Sequence, residues 1–258
     1  MISPVYGTCC LCGSSGKLSF EHFPPRKAFN ENPVLYSEIQ DWLAGGNPDT
    51  FSGKKQQRGV GAYTLCESCN SRTGGWYGRD YISLTRQGMQ YLQKVRSAAG
   101  FYLPFQIKPL HAIKQIICMF ASASGPELRR TKPELARFVL NREERHLPDD
   151  VRVFAFYSIG DRSRSSGLAG LLTGFGTSVS KQHFFSETTF PPFGFVLSLG
   201  SPPPDERLTD ITYFADDFRH DETRTLWLRL PVLPVYTIYP GDYRSRDKVL
   251  TDASRKPE

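Results

Sequence analysis

The chain has 258 residues, 39% of them hydrophobic and 22% charged, with a formal net charge of +6 and a pI of about 9.0. That is enough apolar material to bury a core, as one large domain or two small ones. No apolar run approaches the roughly 18 residues a membrane span needs, and the N-terminus lacks a basic region followed by an apolar stretch, so neither a membrane partner nor a signal peptide is expected and a cytoplasmic location is.

The basic excess leans toward a polyanionic partner. It is concentrated in residues 1–100, which hold 11 Lys and Arg against 7 Asp and Glu. The same segment holds Cys9, Cys10, Cys12, Cys66 and Cys69; the sixth cysteine is Cys118. In a reducing compartment, clustered cysteines read as metal ligands rather than disulfides.

Taken in chain order, Lys17–Phe20 predicts a short strand, which Pro24-Pro25 must end because neither proline donates a backbone hydrogen bond. Leu35, Ile39 and Trp42/Leu43 follow helical spacing, with Gly45-Gly46 as a stop. Residues 47–61 read as a loop with a basic cluster. Tyr77, Tyr81, Leu84, Leu92 and Val95 predict a helix to about Arg96, and Ala99-Gly100 a boundary. Ile113, Ile116, Ile117 and Phe120 predict a helix that opens near Pro109. Thr131–Glu134 reads as a capping box, with Leu135, Phe138 and Val139 on the buried face. From Val151 the pattern turns strand-like in VRVFAFY, GFVLSL, TLWLRL and VYTIY. The fold class is α+β: a zinc-stabilised domain over residues 1–100, an α+β domain over 101–240, and a polar tail over 241–258 with the composition of a disordered segment.

Cys9 and Cys12 form one C-x-x-C pair, and Cys66 and Cys69 a second. Two intervening residues let one tight turn aim both sulfurs at a single ion, and two such turns complete a tetrahedral site. Gly13 suits a turn with positive φ. Four thiolates leave no position for water, so the expected zinc is structural. Cys10 and Cys118 read as packing residues.

Between and beside these pairs stand C-x-x-C-G at Cys9–Gly13, E-H-x-P-P at Glu21–Pro25 and L-C-x-x-C-N at Leu65–Asn70. Over roughly residues 8–96 this pattern resembles the HNH, or ββα-metal, endonucleases with paired zinc knuckles. The resemblance implies that His22 is the general base and that Glu21 and Asn70 hold one divalent ion, Mg²⁺ or Mn²⁺. The residue types suit that chemistry. Carboxylate and amide oxygens are ligands for a hard cation, and a neutral imidazole accepts a proton from water near neutral pH. Asn70 stands where the family name has its final His. Gly61 stands where many members carry an Asn that orients the loop bearing the base, so another residue must do that here. Gly74-Gly75 weaken the helix expected after Asn70.

Arg26, Lys27, Lys54, Lys55, Arg58 and Arg72 are candidates for phosphate contact. The expected activity is phosphodiester hydrolysis in DNA, with phage defence or a mobile element as the setting by family analogy. The alternative is a non-catalytic zinc module that binds nucleic acid or protein. Residues 101–240 carry no motif and are open to a protein partner or an oligomer. Gly167–Gly176 lacks the G-K-[ST] ending of a phosphate loop and reads as a loop or tight packing. Phe184, Phe185, Phe190, Phe193 and Phe195 read as core. His111, His146, His183 and His220 show no ligand spacing and are set aside.

Overall fold

The computed structural model describes residues 3–38, 53–94, 102–159, 162–173 and 181–254. Strand β1 (Val5–Thr8) pairs antiparallel with β2 (Ser15–His22), which contains the predicted Lys17–Phe20 strand and stops before the proline pair. The other edge of β2 pairs antiparallel with β5 (Gly61–Cys66), and the register slips between Ser19 and Phe20. Helix α1 (Glu67–Thr73) leaves β5 without a loop, gives way to a π-helical turn at Gly74–Gly78 and continues as α2 (Arg79–Lys94). The glycine pair thus changes the helical winding instead of ending the helix. Tyr77, Tyr81 and Leu84 are buried as the stripe requires, while Leu92 is half-buried.

Two local expectations are overturned. Leu35 belongs not to a helix but to strand β3 (Val34–Tyr36), which pairs antiparallel with β4 (Lys54–Gln56) inside the segment read as a loop. Pairing with a partner twenty residues away outweighs the weak helical spacing. Ile39, Trp42, Leu43 and Gly45-Gly46 lie outside the described residues, as do Val95, Arg96 and Ala99-Gly100.

Strand β6 (Leu103–Ile107) leads into α3 (Pro109–Ser124). Pro109 sits in the first turn, where its missing N–H has no intrahelical partner to lose. Every residue from Pro109 to Ser122 is buried, the mark of a central helix. Two short helices follow, α4 (Pro126–Thr131) and α5 (Pro133–Leu140). The capping box does not form: Thr131 closes α4, and Lys132 caps α5 without a side-chain bond. Leu135, Phe138 and Val139 are buried as expected.

The six-stranded sheet contains β7 (Val151–Ile159), β8 (Arg164–Thr173), β9 (Lys181–Phe190), β10 (Phe193–Leu199) and β11 (Thr209–Asp210) in the order β11-β7-β10-β9-β8, with β13 (Val232–Pro234) parallel to β7. Strand β12 (Arg224–Leu228) pairs with β6 instead. The Gly-rich stretch read as a loop or tight packing is part of β8 as far as Thr173 and packs tightly at Gly167. Its bulge between Ser166 and Ala169 brings Gly167 against the backbone of Ser124 at the end of α3. The segment VYTIY is not a strand. Arg164 takes the carbonyl of Thr237 there, and Thr237 donates to Asp242.

Alternation along β7 sends Val153, Ala155 and Tyr157 into the main core with α3, and Phe154 and Phe156 into a smaller cluster on the other face. That second cluster explains the tail. Tyr243 is buried against Phe156, with ring centroids 4.9 Å apart, and α6 (Arg246–Ser254) comes directly after it. Of the phenylalanine set, Phe185, Phe193 and Phe195 are core and Phe184 is exposed.

The main core is continuous from Cys9, Leu11 and Leu65 through Ile117 and Phe138 to Phe195. Polar ties cross the same seam: Thr64 donates to Ser122 (3.0 Å), Tyr77 to the Val139 carbonyl (2.8 Å) and Arg129 to the Leu11 carbonyl (3.1 Å). No helix among the described residues is long and apolar enough to cross a membrane.

Candidate functional site

The site begins with two turns. The first comes after β1: the N–H of Gly13 donates to the Cys9 carbonyl and the N–H of Cys9 to the Ser14 carbonyl, both 2.9 Å. Gly13 has φ +76°, a conformation that strains other residues, and an added Cβ there would push the Arg129 guanidinium aside. The second turn is the junction of β5 and α1, where Cys66 is the N-cap and Cys69 faces inward from the first turn. The N–H of Cys10 donates to the Thr64 carbonyl (2.9 Å) and docks the first turn on β5.

The sulfurs of Cys9, Cys12, Cys66 and Cys69 then all lie within 4.8 Å of one another, a group that could hold a metal ion. Cys12 and Cys66 are 3.8 Å apart. Two sulfurs bound at about 2.3 Å to one tetrahedral zinc stand about 3.8 Å apart, so the donor set fits. The Cys9 sulfur is drawn down to about 4 by hydrogen bonds, first from the Cys69 side chain and then from the backbone of Cys66, Cys12 and Leu11, against the opposing effect of burial. Cys10 is buried, and burial pushes its thiol up to about 11. Cys118 is buried in α3 within 3.7 Å of the Thr73 hydroxyl. Neither belongs to the sulfur group.

Above the sulfurs, β2, β5 and α1 form a strand–strand–helix unit. Asn70 points from α1 to β2, where its Nδ2 donates to the Ser19 hydroxyl (3.0 Å) and the Phe20 carbonyl (3.2 Å). It therefore lies one residue from Glu21 along the strand. The register pairs Glu21 with Ala62 and His22 with Gly61. No hydrogen bond joins Glu21, His22 and Asn70 to one another.

Glu21 is buried, and burial alone raises its carboxyl to about 8. Neither an ion pair nor a hydrogen bond meets its carboxylate among the described residues. His22 is half-buried, edge-on to Phe20. Its Nε2 lies 2.9 Å from the Arg58 carbonyl. A carbonyl only accepts, so Nε2 carries the hydrogen and Nδ1 presents a lone pair. Burial lowers the pKa of His22, and the charges of Arg26 and Arg58 lower it further, against the Arg58 hydrogen bond. The ring is neutral at neutral pH.

Asn30, which sequence reasoning did not single out, is buried between the turn after His22 and the approach to β5. Its Nδ2 donates to the carbonyls of Pro24 and Val60, both 2.7 Å, and its Oδ1 accepts from the Val60 N–H (2.6 Å). These three bonds clamp the turn after His22 to the approach to β5. An Asn could not stand at Gly61, because a Cβ there would lie 2.3 Å from the Glu21 carbonyl and 2.7 Å from the Phe20 ring.

Arg26, Lys27, Lys54, Lys55, Arg58 and Arg72 are all exposed. None forms an ion pair with a described residue. Lys54 and Lys55 lie on the β3–β4 ribbon, Arg58 lies over the Phe20 ring and Arg72 over the Trp76 ring. Of the histidines set aside earlier, His146 bonds Asp216 at the surface and His183 bonds the Pro202 carbonyl. His111 and His220 instead meet each other, 2.9 Å apart, in a cluster that no sequence spacing signalled. Compared with known proteins, the chain matches no family model, no curated protein and no solved structure.

Proposed function

We propose that the chain is a metal-dependent endonuclease of the HNH type that hydrolyses phosphodiester bonds in DNA. One observation carries this reading. A half-buried neutral histidine, with one ring nitrogen fixed on a carbonyl and the other bare, ends the central strand of a strand–strand–helix unit beside basic side chains that have no acidic partner among the described residues. The four sulfurs would hold a structural Zn²⁺, since a closed thiolate set selects that ion and leaves no position for substrate.

Glu21 and Asn70 would hold the divalent ion, Mg²⁺ or Mn²⁺. They fit it: a buried carboxyl without a counter-charge lies near an amide whose nitrogen is engaged on β2, leaving Oδ1 as a donor. When bound, such an ion stabilises the charge that develops on the phosphate and the departing oxygen. His22 takes a proton from the attacking water at Nδ1, and the Arg58 carbonyl keeps the ring in that tautomer. Asn30 holds the turn that carries His22. Arg26, Lys27, Lys54, Lys55 and Arg58 bind the phosphates on either side.

A second reading, a non-catalytic zinc module that binds nucleic acid or protein, is favoured by the burial of Glu21. Successive strand residues face opposite ways, so Glu21 looks toward the core while His22 looks toward solvent. Plasmid cleavage with Mg²⁺ separates the two. The nuclease reading expects His22→Ala to cut roughly 10²- to 10⁴-fold more slowly with its folding and zinc content intact. Equal cutting by wild type and variant, or none by either with DNA binding kept, removes it.

A further inference from the structure

His111 and His220 are 109 residues apart in the chain, yet His111 Nε2 and His220 Nδ1 lie 2.9 Å apart at the start of α3. The pair extends at both ends. His111 Nδ1 is 2.5 Å from Asp80 Oδ2, and His220 Nε2 is 3.7 Å from Asp221 Oδ1. Both rings are buried, whereas Asp221 stands in water. A cleft of about 190 Å³ lined by Asp80, Ser83, Gln106, Ile107, Lys108 and Thr223 opens beside them.

The Asp80 carboxylate only accepts, so His111 Nδ1 carries a hydrogen toward it. At the other end of the row, His220 Nε2 is buried without a hydrogen-bond partner among the described residues and lies 3.7 Å from Asp221 Oδ1. A buried polar atom without a partner is costly. Lys108 Nζ, 3.7 Å from Asp221 Oδ1, gives that carboxylate a counter-charge but no bond to the ring. An ion bound by His111 Nε2 and His220 Nδ1 places the hydrogen of His220 on Nε2, which then faces the Asp221 carboxylate.

We propose that His111, His220 and Asp221 form a second metal site, separate from the four cysteines, which takes a transition metal ion of the zinc class, with Asp80 orienting His111. One ligand atom from each of the three residues lies within 4.8 Å of the others. Two ring nitrogens bound to one tetrahedral zinc at roughly 2.0–2.1 Å stand about 3.3 Å apart, so the observed pair opens by a few tenths of an ångström. Asp80 against His111 Nδ1 is the outer carboxylate that fixes the tautomer of a metal-bound histidine and raises its basicity. Three protein ligands leave a coordination position for water, which the sulfur site does not. The inference is independent of the nuclease reading, because it shares no residue with it.

The test uses full-length protein equilibrated with Zn²⁺ and cleared of excess by gel filtration. An organomercurial that titrates thiolates strips the cysteine site, and the zinc that remains is counted. The expected result is one mercurial-resistant zinc per chain, lost in His220→Gln. Asp221→Asn, at an exposed position that cannot disturb the core, loosens it, and Asp80→Asn weakens it about 10- to 100-fold in chelator competition. Cobalt(II) at this site in the wild type should show ligand-field bands without sulfur charge transfer, which needs no variant to fold. Absence of mercurial-resistant metal in the wild type, or resistant metal that survives both His220→Gln and Asp221→Asn, overturns the proposal.

Discussion

Around the six-stranded sheet, charges are answered within the chain. Arg164 meets Glu187 at 2.7 Å with both side chains buried, Arg207 meets Asp205 at 2.7 Å, and Arg244 meets Asp242 and Asp252 at 2.8 and 2.9 Å. Around β2 they are not. Among the described residues Arg26, Lys27, Lys54, Lys55 and Arg58 have no acid partner, and the buried Glu21 has no cation. Burying an unpaired carboxyl costs stability, and leaving several cations unpaired on one side contributes none.

The comparison breaks first at the cysteines. If the β2 region lacks internal pairing because a metal holds it, Cys69→Ala should lose the bound metal and unfold residues 5–94, since structural zinc supplies about 10–16 kcal/mol in small sites. Metal analysis alongside thermal unfolding checks this. A metal-free variant with an unchanged melting temperature would show that packing alone suffices. Next come the two buried acids. Glu187→Gln strands Arg164 and should cost about 3–5 kcal/mol in denaturant unfolding. Glu21→Gln, measured without divalent ion, should fall within about 0.5 kcal/mol of wild type because no internal partner is lost.

Lys114 sharpens the contrast from the seam between the regions. It is buried in α3 and donates to the carbonyls of Phe138 (2.5 Å) and Asn141 (2.6 Å), and burial lowers its pKa to about 7, against the charges of Glu144 and Glu143. Between about pH 7 and the unfolded value near 10.5 the unfolded chain holds a proton that the folded chain lacks. Stability should therefore rise with pH across that window, by up to about 1.4 kcal/mol per unit, and level off above it. Lys114→Met should remove the slope whatever its mean effect. The smallest effect is at the ribbon. Lys54→Ala with Lys55→Ala should leave the melting temperature unchanged yet reduce the salt dependence of DNA binding, by about one unit of log–log slope per lysine. An unchanged slope would mean that the exposed lysines are solvated charge only.

Local chemistry was legible in the sequence and long-range closure was not. The paired C-x-x-C turns announced the sulfur group because spacing alone fixes such a turn, and the all-round apolar run of α3 announced a central helix. Leu35 misled because its partner Lys55 pairs across a long connection. The tail after Gly241 misled by composition: a single tyrosine, Tyr243, closes the cluster beneath Phe156 and anchors the start of α6. His111 and His220 were invisible because ligand spacing is a local property, and their partnership depends on β12 returning to β6. Asn30 was hidden in another way. Its bonds reach Val60, thirty residues on, and no local spacing signals such a contact.

That clamp has a consequence for how the molecule can change. β2 and β5 meet in register at His22 and Gly61, and Asn30 ties Pro24 to Val60 just beyond them. The β3–β4 ribbon that carries Lys54 and Lys55 therefore leaves the sheet through a closed neck. Closing a loop twice as long costs only about 0.6 kcal/mol more. Residues inserted between β3 and β4 would thus leave the neck, and the histidine at its root, where they are.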